Sequence, residues 1–368
     1  MNKNEYRVNL VSGYLEKLNL VDEIQSYFSG RNILVTGGAG AIGSNLVIAL
    51  SELVGDEGMI LVLDNLSAIK GDEPIDLPPL SNMMFVKGDV RSDKDLKRVF
   101  REKPTIVYHL AAFFANQNSV DYPEKSADVD IKGIIKLLDL AQFTGVQKYI
   151  YASSGCSVYG SYGKMPLKED FISMHLTTPY QINKMAGEMY CNFYHHHYGL
   201  NTVNCRFFNS FGPGEVPGQY RNVIPNFVYW SMLDKSLPLT GTGNETRDFT
   251  YVTDVADAFI SAAESSLSGE ALNVGSGNHY SVNQLIALLG GDVVSIPRRP
   301  GEPDCTFADV RKINRMLGWK AKVSLKEGVQ QMLDRLEDWR DAPVWNPETI
   351  QQATSKWFQY LGDKVTNV

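Results

Sequence analysis

The N-terminal half of the chain alternates short, continuous apolar runs with longer amphipathic stretches. Five apolar runs predict buried β-strands: residues 33–35, MILVLD (59–64), MMFVKGDV (83–90), TIVYHLAA (105–112) and KYIYASS (148–154). Helical periodicity separates them, beginning near Ala41 and again in DKDLKRVFREK and at 131–143. A regular alternation of strand and helix is typical of a parallel sheet that is covered by helices on both faces, and we predict that α/β architecture here.

Both ends of the chain depart from this alternation. Residues 1–30 carry apolar side chains at helical spacing: Val8, Leu10, Val11, Leu15 and Leu18. The spacing predicts a helical extension that packs on the domain beginning at residue 31. Beyond about Asn209 the pattern changes to turn-rich stretches, short helices and isolated strands. We therefore expect one domain over 31–208, to which a segment at about 245–275 returns, and a smaller lobe made mainly of 209–368.

Composition narrows the classes of protein that fit. The 368 residues are 43% hydrophobic and carry a net charge of −7 without a long basic run, which argues against a surface for binding nucleic acid. The sequence has no apolar stretch of the ~18 residues that a membrane span needs and no apolar core of a signal peptide near its start. Its four cysteines are scattered, without a CxxC pair that would suggest a redox or zinc site. We expect a cytoplasmic protein with free thiols and no bound metal.

A glycine-rich turn joins the first predicted strand to the first helix of the domain. In TGGAGAIG, the glycines Gly37, Gly40 and Gly43 allow a tight turn, close approach of backbone amides to a pyrophosphate, and close packing of the helix on the sheet. The N–H groups at the start of the helix, around Ala41 and Ile42, favour a phosphate charge. A strand-turn-helix corner can also need glycine for steric reasons alone, so this motif is weak by itself.

An acidic residue strengthens the dinucleotide interpretation. Asp64 ends the second predicted strand, 21 residues after Gly43. Its carboxylate can accept hydrogen bonds from both ribose hydroxyls, whereas the 2′-phosphate of NADP would meet a like charge there. We therefore predict NAD as the cofactor, with Asn65 in the same site, in a Rossmann-type doubly wound domain with a smaller C-terminal substrate-binding lobe.

A tyrosine and a lysine share one face of a later predicted helix. In PYQINK, Tyr180 and Lys184 are four residues apart, which places both side chains on one side of the helix. A phenol with a pKa of about 10 is a poor base at neutral pH, but an adjacent ammonium group and an oxidised nicotinamide both stabilise its phenolate. Such a phenolate can remove a proton from a sugar hydroxyl. Without the upstream motifs, the same spacing is typical of an ordinary pair on a helix surface.

Taken together, these motifs resemble a known family, the extended short-chain dehydrogenase/reductases, and within it the NAD-dependent nucleotide-sugar epimerase/dehydratase group. The resemblance runs from about residue 32 to about residue 333. The motifs occur in the family's order: TGGAGAIG, HLAA, SSGCSVYG, PYQINK, RFFNSFGPG, NVIPNF, TRDFTYVTDVADA, LNVGSG and RRPGEPD followed by LGW. A string of this length is specific to the family.

The resemblance implies roles for particular residues. Tyr180 would be the catalytic base and acid, and Lys184 would bind the nicotinamide ribose and lower the pKa of the tyrosine. On the cofactor side it implies contacts from Asp89, Val90, Leu110, Ala111 and Ala112. On the substrate side it implies contacts with the nucleoside diphosphate from Asn209, Asn222, Val223, Arg247 and Arg299. A guanidinium group fits a diphosphate in both charge and planar geometry.

The resemblance also implies a homodimer, packed through the helix that bears Tyr180 and the long helix before the fifth strand. The sequence shows only that Met185, Met189 and Phe193 can form an apolar stripe on the first of these helices. Core packing explains such a stripe equally well.

One catalytic position departs from the family's pattern. The serine or threonine that hydrogen-bonds the reacting hydroxyl lies, in the family, four residues before the tyrosine of VYG, and here that position is Gly155. Ser154, Ser157 or an ordered water in the space that glycine leaves could replace it. For each serine, a hydrogen bond to the local backbone is the ordinary structural alternative.

Neighbouring residues discriminate among the family's reactions. The 4,6-dehydratases carry an acidic pair after the hydroxyl position and the decarboxylases a glutamate just before VYG, whereas this chain has Cys156 and Ser157. Neither is a suitable acid or base for elimination. We therefore predict NAD-dependent epimerisation of a nucleoside-diphosphate sugar at C4 through a transient 4-keto sugar. The alternatives are a dehydratase or keto-reductase of the same family, and a degenerate protein that only binds NAD or a sugar nucleotide.

Four further features suggest chemistry and have ordinary structural explanations. The histidines at 195–197 are consecutive on a helix, so their side chains diverge too far to chelate one ion. Cys156 has no histidine nearby in sequence to activate it. Glu169 and Asp170 are typical of a solvated loop, and His109 of the end of a buried strand.

Overall fold

The computed structural model describes residues 2–17, 21–67, 77–160, 164–215, 222–296 and 303–335, together with five positions between 351 and 359. The strands in chain order are β1 (Asn32–Thr36), β2 (Met59–Asp64), β3 (Met83–Lys87), β4 (Ile106–His109), β5 (Lys148–Ser154), β6 (Thr202–Phe207), β7 (Ser210–Phe211), β8 (Leu237–Thr240), β9 (Thr246–Arg247), β10 (Thr250–Tyr251), β11 (Glu270–Val274), β12 (Tyr280–Ser281), β13 (Val293–Ile296) and β14 (Cys305–Thr306).

The helices in chain order are α1 (Lys3–Lys17), α2 (Val21–Phe28), α3 (Ala41–Val54), α4 (Asp93–Phe100), α5 (Asn116–Asp121), α6 (Pro123–Ala127), α7 (Gly133–Thr144), α8 (Gly155–Val158), α9 (Pro179–Tyr198), α10 (Val223–Met232), α11 (Val252–Glu264), α12 (Val282–Leu289), α13 (Arg311–Leu317) and α14 (Leu325–Leu333). A π-helical turn, Asp128–Lys132, joins α6 to α7. Among these helices, none is both long enough and apolar enough to cross a membrane.

The main sheet has seven parallel strands in the order β11-β6-β5-β4-β1-β2-β3. The chain proceeds outward from β1 in one direction and from β4 in the other, so the two central strands form the switch point of a doubly wound sheet. Ligands of such sheets bind outside the carboxyl ends of the strands at that point. The predicted Rossmann-type architecture is confirmed.

The strands of this sheet are buried on both faces. In β1, Ile33 and Val35 point into one core with α3 and α11, whereas Leu34 points into a second core with α4, α7 and α9. Successive side chains of a strand face opposite ways, and a strand covered on both sides therefore needs apolar residues at every position. This is why these strands appear in the sequence as continuous apolar runs.

Two predicted strands are shorter than their apolar runs. β3 ends at Lys87. Gly88 N still makes a hydrogen bond of the β2–β3 ladder, to Asp64 O, whereas Asp89 N donates to the Asp95 carboxylate of α4, and the chain leaves the sheet there. β4 ends at His109, so residues 110–112 form a loop at the carboxyl edge. The predicted helix at 131–143 is observed as α7, with the π-helical turn before it.

The N-terminal helices α1 and α2 pack against α3 and bury their apolar side chains in the core that α3 shares with α11. Val11, Leu15, Ile24 and Phe28 are all buried there. Leu18 lies outside the described residues.

The region after β6 supplies a third, smaller core. It contains side chains of α10, α12 and α14, including Phe227, Leu285 and Val329. Small sheets of two or three strands surround this core: β10-β7, β12-β9-β14 and β13-β8. The chain also returns to the main sheet, where α11 packs on one face and β11 forms an edge strand.

Candidate active site

A cavity of about 570 Å³ opens at the carboxyl edge of the main sheet and extends to the smaller lobe. The predicted cofactor residues on its wall are Gly37, Gly40, Ala41, Ile42, Gly43, Asp64, Asn65, Val90, Leu110, Ala111 and Ala112. The predicted catalytic and substrate residues on its wall are Ser154, Ser157, Tyr180, Lys184, Asn209, Asn222, Val223 and Arg247. Asp89 is not on the wall, and Arg299 lies outside the described part of the chain.

The side chain of Asp89 is engaged by its neighbours. Its carboxylate accepts hydrogen bonds from Arg91 Nε at 2.9 Å and Nη2 at 2.8 Å, and from Asn65 Nδ2 at 3.0 Å. The hydrogen bonds from Arg91 hold the pKa of this carboxyl well below its usual range. It is Arg91 that reaches the cavity wall, a placement that the sequence analysis missed.

Two glycines of the turn after β1 are required by close packing. A Cβ on Gly37, whose φ is +71°, would lie 2.6 Å from Ala111 N. A Cβ on Gly43 would lie 2.2 Å from Gly37 O. Helix α3 can therefore approach β1 and β4 closely only with glycine at both positions.

Gly40 is the N-cap of α3 and faces the cavity. The intrahelical bonds of this turn begin with Ser44 N donating to Gly40 O at 2.9 Å. The N–H groups of the first helical turn have no intrahelical acceptor, and they lie beside the partial positive charge of the helix N-terminus. The backbone at this end of the cavity therefore fits the pyrophosphate of a dinucleotide.

Asp64 lies where the cavity wall meets the end of β2. Its Oδ2 accepts a hydrogen bond from Ala39 N at 3.0 Å and its Oδ1 accepts one from Leu66 N at 2.8 Å. Burial raises the pKa of this carboxyl, and the two backbone hydrogen bonds oppose the shift. Because a carboxylate oxygen has two lone pairs, both oxygens can accept further hydrogen bonds from ribose hydroxyls. The site thus fits NAD and disfavours an additional phosphate at this place.

Helix α9 carries Tyr180 and Lys184, and its sequence defines where it begins. The Thr178 hydroxyl accepts a hydrogen bond from Gln181 N, and the Gln181 side chain accepts one from Thr178 N, which forms a capping box with proline at the first helical position. The helix ends at Gly199, which has a φ of +72°. Tyr180 therefore lies in the first turn, with Lys184 one turn later on the same face.

Tyr180 and Lys184 are both almost fully buried, at 4% and 2% exposure. The Lys184 ammonium donates a hydrogen bond to Ala152 O at 2.8 Å and lies 5.6 Å from the centre of the Tyr180 ring. Burial lowers the pKa of Lys184 to about 8, opposed by the charges of Asp130 and Glu188. Burial raises the pKa of Tyr180, and the charge of Asp130 adds to that effect. In the protein alone, burial therefore outweighs any lowering of the tyrosine pKa by the ammonium group.

Asp130 is a buried carboxylate next to this pair, and sequence analysis did not single it out. Its Oδ1 accepts a hydrogen bond from Phe113 N at 2.7 Å, and its Oδ2 accepts from Ser126 Oγ at 3.1 Å and Asn183 Nδ2 at 3.5 Å. Asn183 directly precedes Lys184 on α9. The π-helical turn thereby places a negative charge behind Tyr180 and Lys184. In the sequence, the only local feature that could have predicted this buried residue was an aspartate within an otherwise apolar helix face.

The space beside Gly155 is filled by an aromatic ring. A Cβ on Gly155 would lie 2.1 Å from Cε2 and 2.4 Å from Cζ of Phe208. An ordered water in that space, one of the expected replacements for the missing hydroxyl, is therefore excluded by the ring. Ser154 and Ser157 both reach the cavity wall, and neither hydroxyl is hydrogen-bonded to another residue that the structure describes. The backbone hydrogen bond considered for each serine is thus not observed.

The substrate end of the cavity is held by side-chain amides. Asn209 Nδ2 donates to Asp248 O at 3.1 Å and to Thr306 Oγ1 at 3.2 Å. Asn222 Nδ2 donates to Ser210 O at 3.3 Å and to Glu215 Oε1 at 3.1 Å. These hydrogen bonds fix the orientation and the position of both side-chain amides on the cavity wall.

Several residues on this wall were missed from the sequence. Glu215, Glu245 and Thr306 line the cavity together with Arg247. Glu215 follows the FGPG turn directly, which was the one available signal. By contrast, Glu169 is not on the wall, because its carboxylate accepts a hydrogen bond from Asn273 N at 2.9 Å.

The histidines His109 and His195 make structural contacts. His109 Nδ1 lies 2.8 Å from Thr36 Oγ1, and burial lowers the pKa of the imidazole to about 3, so this ring is neutral. His195 Nδ1 lies 3.2 Å from Leu200 O and 3.1 Å from Ser268 Oγ. Within the part of the chain that the structure describes, no group of three histidine, cysteine or acidic side chains could hold a metal ion.

Comparison with known proteins places this geometry among related enzymes. A sequence model of the NAD dependent epimerase/dehydratase family matches residues 33–275. The UDP-glucose 4-epimerase of Mycolicibacterium smegmatis is 33% identical over 308 residues, which is 82% of this chain and 97% of that protein. Epimerase Mth375 from the methanogen Methanothermobacter thermautotrophicus is 43% identical with a TM-score of 0.82, covering 87% of this chain and 96% of its own. The UDP-glucose 4-epimerase of Thermotoga maritima, solved with UDP-glucose, is 34% identical with a TM-score of 0.77, covering 83% and 99%.

Proposed function

The chain belongs to the NAD-dependent epimerase/dehydratase family, and we propose that it epimerises a nucleoside-diphosphate sugar at C4 through a transient 4-keto sugar. One observation carries the proposal: Tyr180 and Lys184 lie on the same cavity wall as the glycine turn at one end and Arg247 at the other. A single cavity can therefore hold a dinucleotide and a nucleotide sugar with the reacting carbon between them. Two of the compared proteins are UDP-glucose 4-epimerases, which supports this choice among the family's reactions.

NAD is held by the main sheet in this proposal. The first turn of α3 after Gly40 binds the pyrophosphate, and Asp64 with Asn65 binds the ribose hydroxyls. Val90 and residues 110–112 line the adenine and nicotinamide sides of the cleft. Asp89 is not on the wall, and it positions Asn65 and Arg91 through its hydrogen bonds instead of contacting the adenine. When bound, NAD supplies the acceptance and return of a hydride at the sugar carbon.

Tyr180 carries the proton in both directions. Its oxygen removes the proton of the C4 hydroxyl as the ketone forms and gives it back when the ketone is reduced from the other face. Lys184 contributes a positive charge that stabilises the phenolate and a donor for the nicotinamide ribose. Since Phe208 fills the place beside Gly155, a hydrogen bond from Ser154 or Ser157 orients the reacting hydroxyl instead.

The smaller lobe binds the nucleoside diphosphate. Arg247 supplies positive charge to the diphosphate. Asn209, just before β7, and Asn222 and Val223, at the start of α10, contact it. The family resemblance of the motif that contains Arg299 adds a second guanidinium group for the diphosphate. In the proposed domain organisation, residues 31–208 and the segment 245–275 form the cofactor domain. The rest of 209–368 forms most of the substrate lobe, and residues 1–30 form an N-terminal extension.

The proposal includes a homodimer formed by α9 and α7. Met189 and Phe193 on α9 are 55% and 48% exposed, whereas Met185 on the same helix is 6% exposed and packs inward. An exposed apolar strip on the helix that carries the catalytic pair supports its burial against a second copy. A cytoplasmic location is proposed as well, supported by the four unpaired cysteines.

The test is incubation of the purified protein, without added cofactor, with UDP-, GDP-, CDP- and dTDP-sugars. Products are followed by NMR and mass spectrometry, and NADH by absorbance. We expect an isomer of unchanged mass and no lasting NADH signal, because the hydride returns in each turnover. Loss of water would instead indicate a dehydratase, and stoichiometric NADH a net oxidation that releases the keto sugar. No change with any sugar would indicate a protein that only binds these ligands.

A further inference from the structure

The N-terminal extension lies before the region that the family model matches, and it contributes a buried charge. Arg7 of α1 has no exposed surface. Its Nη2 donates a hydrogen bond to Ser44 Oγ at 2.6 Å, and Ser44 is the fourth residue of α3, directly after the glycine turn. Burying a guanidinium group is costly unless it is hydrogen-bonded, so the surroundings of Arg7 must be built to receive it.

The same end of the guanidinium group, Nη2, also faces the backbone of Gly214 in the loop at 212–215. A Cβ on Gly214 would lie 2.9 Å from Arg7 Nη2 and 3.1 Å from Ser44 Oγ. Gly214 has a φ of +94°, which a residue with a side chain rarely adopts. Only a glycine therefore lets the loop come this close to the arginine.

Helix α3 holds the same loop from a second point. Asn45 Nδ2 donates to Pro213 O at 2.7 Å and to Ala41 O at 2.8 Å. Asn45 is also fully buried. The loop is thus contacted on adjacent residues: Asn45 holds Pro213 by a hydrogen bond, and the Arg7 guanidinium packs closely against Gly214.

The loop leads directly into the substrate end of the cavity. Glu215 follows Gly214, is 5% exposed and lies on the cavity wall. Its Oε1 accepts the hydrogen bond from Asn222 Nδ2 at 3.1 Å, and Asn222 is the N-cap of α10 on the same wall. A displacement of Gly214 would therefore move Glu215 and release one of the bonds that orient Asn222.

The N-terminal extension that carries Arg7 makes further contacts with the rest of the protein. Ser12 Oγ donates to Glu52 Oε2 of α3 at 2.7 Å, and Tyr27 Oη donates to Ala263 O of α11 at 2.9 Å. Toward the C-terminal segment, Lys322 Nζ lies 5.6 Å from the ring centre of Tyr14, and the Arg335 guanidinium lies 4.6 Å from that of Tyr6. The extension therefore spans α3, α11 and the C-terminal segment as one packed element.

We propose that the N-terminal extension is a brace for the substrate loop, with Arg7 as its positioning residue. Through Gly214 it holds Glu215 and Asn222 in the arrangement that binds the nucleoside diphosphate of the substrate. The proposal rests on the function proposed above for this cavity. It assigns to the extension a part in substrate affinity and none in hydride or proton transfer.

The experiment compares Arg7→Gln with Ser12→Ala, which breaks another hydrogen bond of the same helix away from the loop. Binding of UDP to the NAD-loaded protein is measured by calorimetry, backbone exchange over 209–215 by hydrogen–deuterium exchange, and KM and kcat with the sugar that the protein turns over. For Arg7→Gln we expect UDP affinity to fall and KM to rise by about tenfold, equivalent to about 1.4 kcal/mol, with kcat within about twofold. Exchange over the loop should rise in Arg7→Gln and stay unchanged in Ser12→Ala.

Arg7→Lys and Ser44→Ala provide the second pair of variants, in case Arg7→Gln does not fold as judged by its melting temperature. A lysine can donate to Ser44 but cannot fill the planar site, so Arg7→Lys should show a smaller effect of the same kind. Unchanged UDP affinity and unchanged loop exchange in the folded Arg7 variants would overturn the proposal. The proposal would also be overturned if the Arg7 variants lost bound NAD or kcat while keeping their affinity for UDP, because the arginine would then support cofactor binding and not substrate binding. If the wild-type protein turns over no nucleotide sugar, the proposed function fails, while loop exchange and UDP binding still decide the role of Arg7.

Discussion

The ring of Phe208 occupies the position that a side chain on Gly155 would take, with Cε2 only 2.1 Å from the ideal Cβ. Phe208 is fully buried and packs among Val158, Tyr159 and Met185. The family places a serine or threonine at the position of Gly155, and here an aromatic ring has replaced both that side chain and any water beside it. The proposed function therefore assigns the hydroxyl that orients the substrate to Ser154 or Ser157 on the cavity wall.

The contact between Gly155 and Phe208 makes a prediction about stability. Gly155→Ala should lower the free energy of unfolding by about 1–3 kcal/mol, because the added methyl group overpacks the site. In a Phe208→Leu background the same change should cost less, since the smaller side chain leaves room. Urea unfolding of the two single variants and the double variant gives the coupling. An equal cost of Gly155→Ala in both backgrounds would show that the ring does not limit this position.

Removal of the tyrosine hydroxyl tests the assignment of the base. Tyr180→Phe should reduce kcat by about 10²–10⁴ or more and leave NAD bound, because general acid–base catalysis is lost while the cofactor contacts remain. Tyr198→Phe, an exposed position on the same helix, is the matched control and should keep full activity. Turnover within about tenfold of wild type in Tyr180→Phe would refute the assignment.

The two serines on the cavity wall can be separated by single and double substitution. Ser154→Ala and Ser157→Ala together should lower kcat by about 10²-fold, the usual effect of losing one donor that acts in the transition state. The single variant that reproduces this loss identifies the residue that orients the hydroxyl. Steady-state kinetics on variants of matched melting temperature provide the measurement. Full activity in the double variant would mean that neither serine has this role.

Asp64 should determine the choice between the two dinucleotides. Asp64→Ala should weaken NAD by about 10- to 100-fold, because hydrogen bonds from the ribose hydroxyls to a charged group are lost. NADP should lose less or even gain, since the negative charge facing its 2′-phosphate disappears. Calorimetric titration of the cofactor-free variant with each dinucleotide measures the difference. Equal weakening of both would remove the proposed contact with ribose.

The buried carboxylate of Asp130 should set the pH range of activity. Its charge raises the pKa of both Tyr180 and Lys184. Asp130→Asn should therefore lower both pKa values. Activity needs Tyr180 without its proton and Lys184 with its charge, so both limbs of the kcat/KM profile, which these two groups set together, should move to lower pH.

The matched control for this change is Asp128→Asn. Asp128 lies on the same π-helical turn, but its side chain is 38% exposed and pairs with Lys132 at the surface. Solvent screens a charge in that position, so the pH profile should stay in place. Other titratable groups near Asp130 and the catalytic pair, Glu188, Tyr151 and Cys156, are unchanged in both variants. Profiles that coincide for the two variants, or limbs that do not move in Asp130→Asn, would contradict the proposed role of Asp130.

The sequence by itself determined the features that depend on short stretches of chain. Continuous apolar runs predicted β2 and β5 to the residue, because a strand buried on both faces needs apolar side chains throughout. The glycine turn, the acidic end of β2 and the capped start of α9 are likewise local, since each is defined by backbone conformation or by hydrogen bonds within a few residues. These are the features that predicted the fold and the cofactor.

Only the tertiary structure decided which side chains meet across long separations in the chain. Phe208 lies beside Gly155 and Arg7 beside Gly214 because β6, α8, α1 and the loop at 212–215 pack at particular distances. Asp130 came to lie behind Lys184 for the same reason. No local preference encodes such contacts, since they depend on how whole elements fill space against one another. The residues that tune this site were therefore visible only once the elements had been placed in three dimensions.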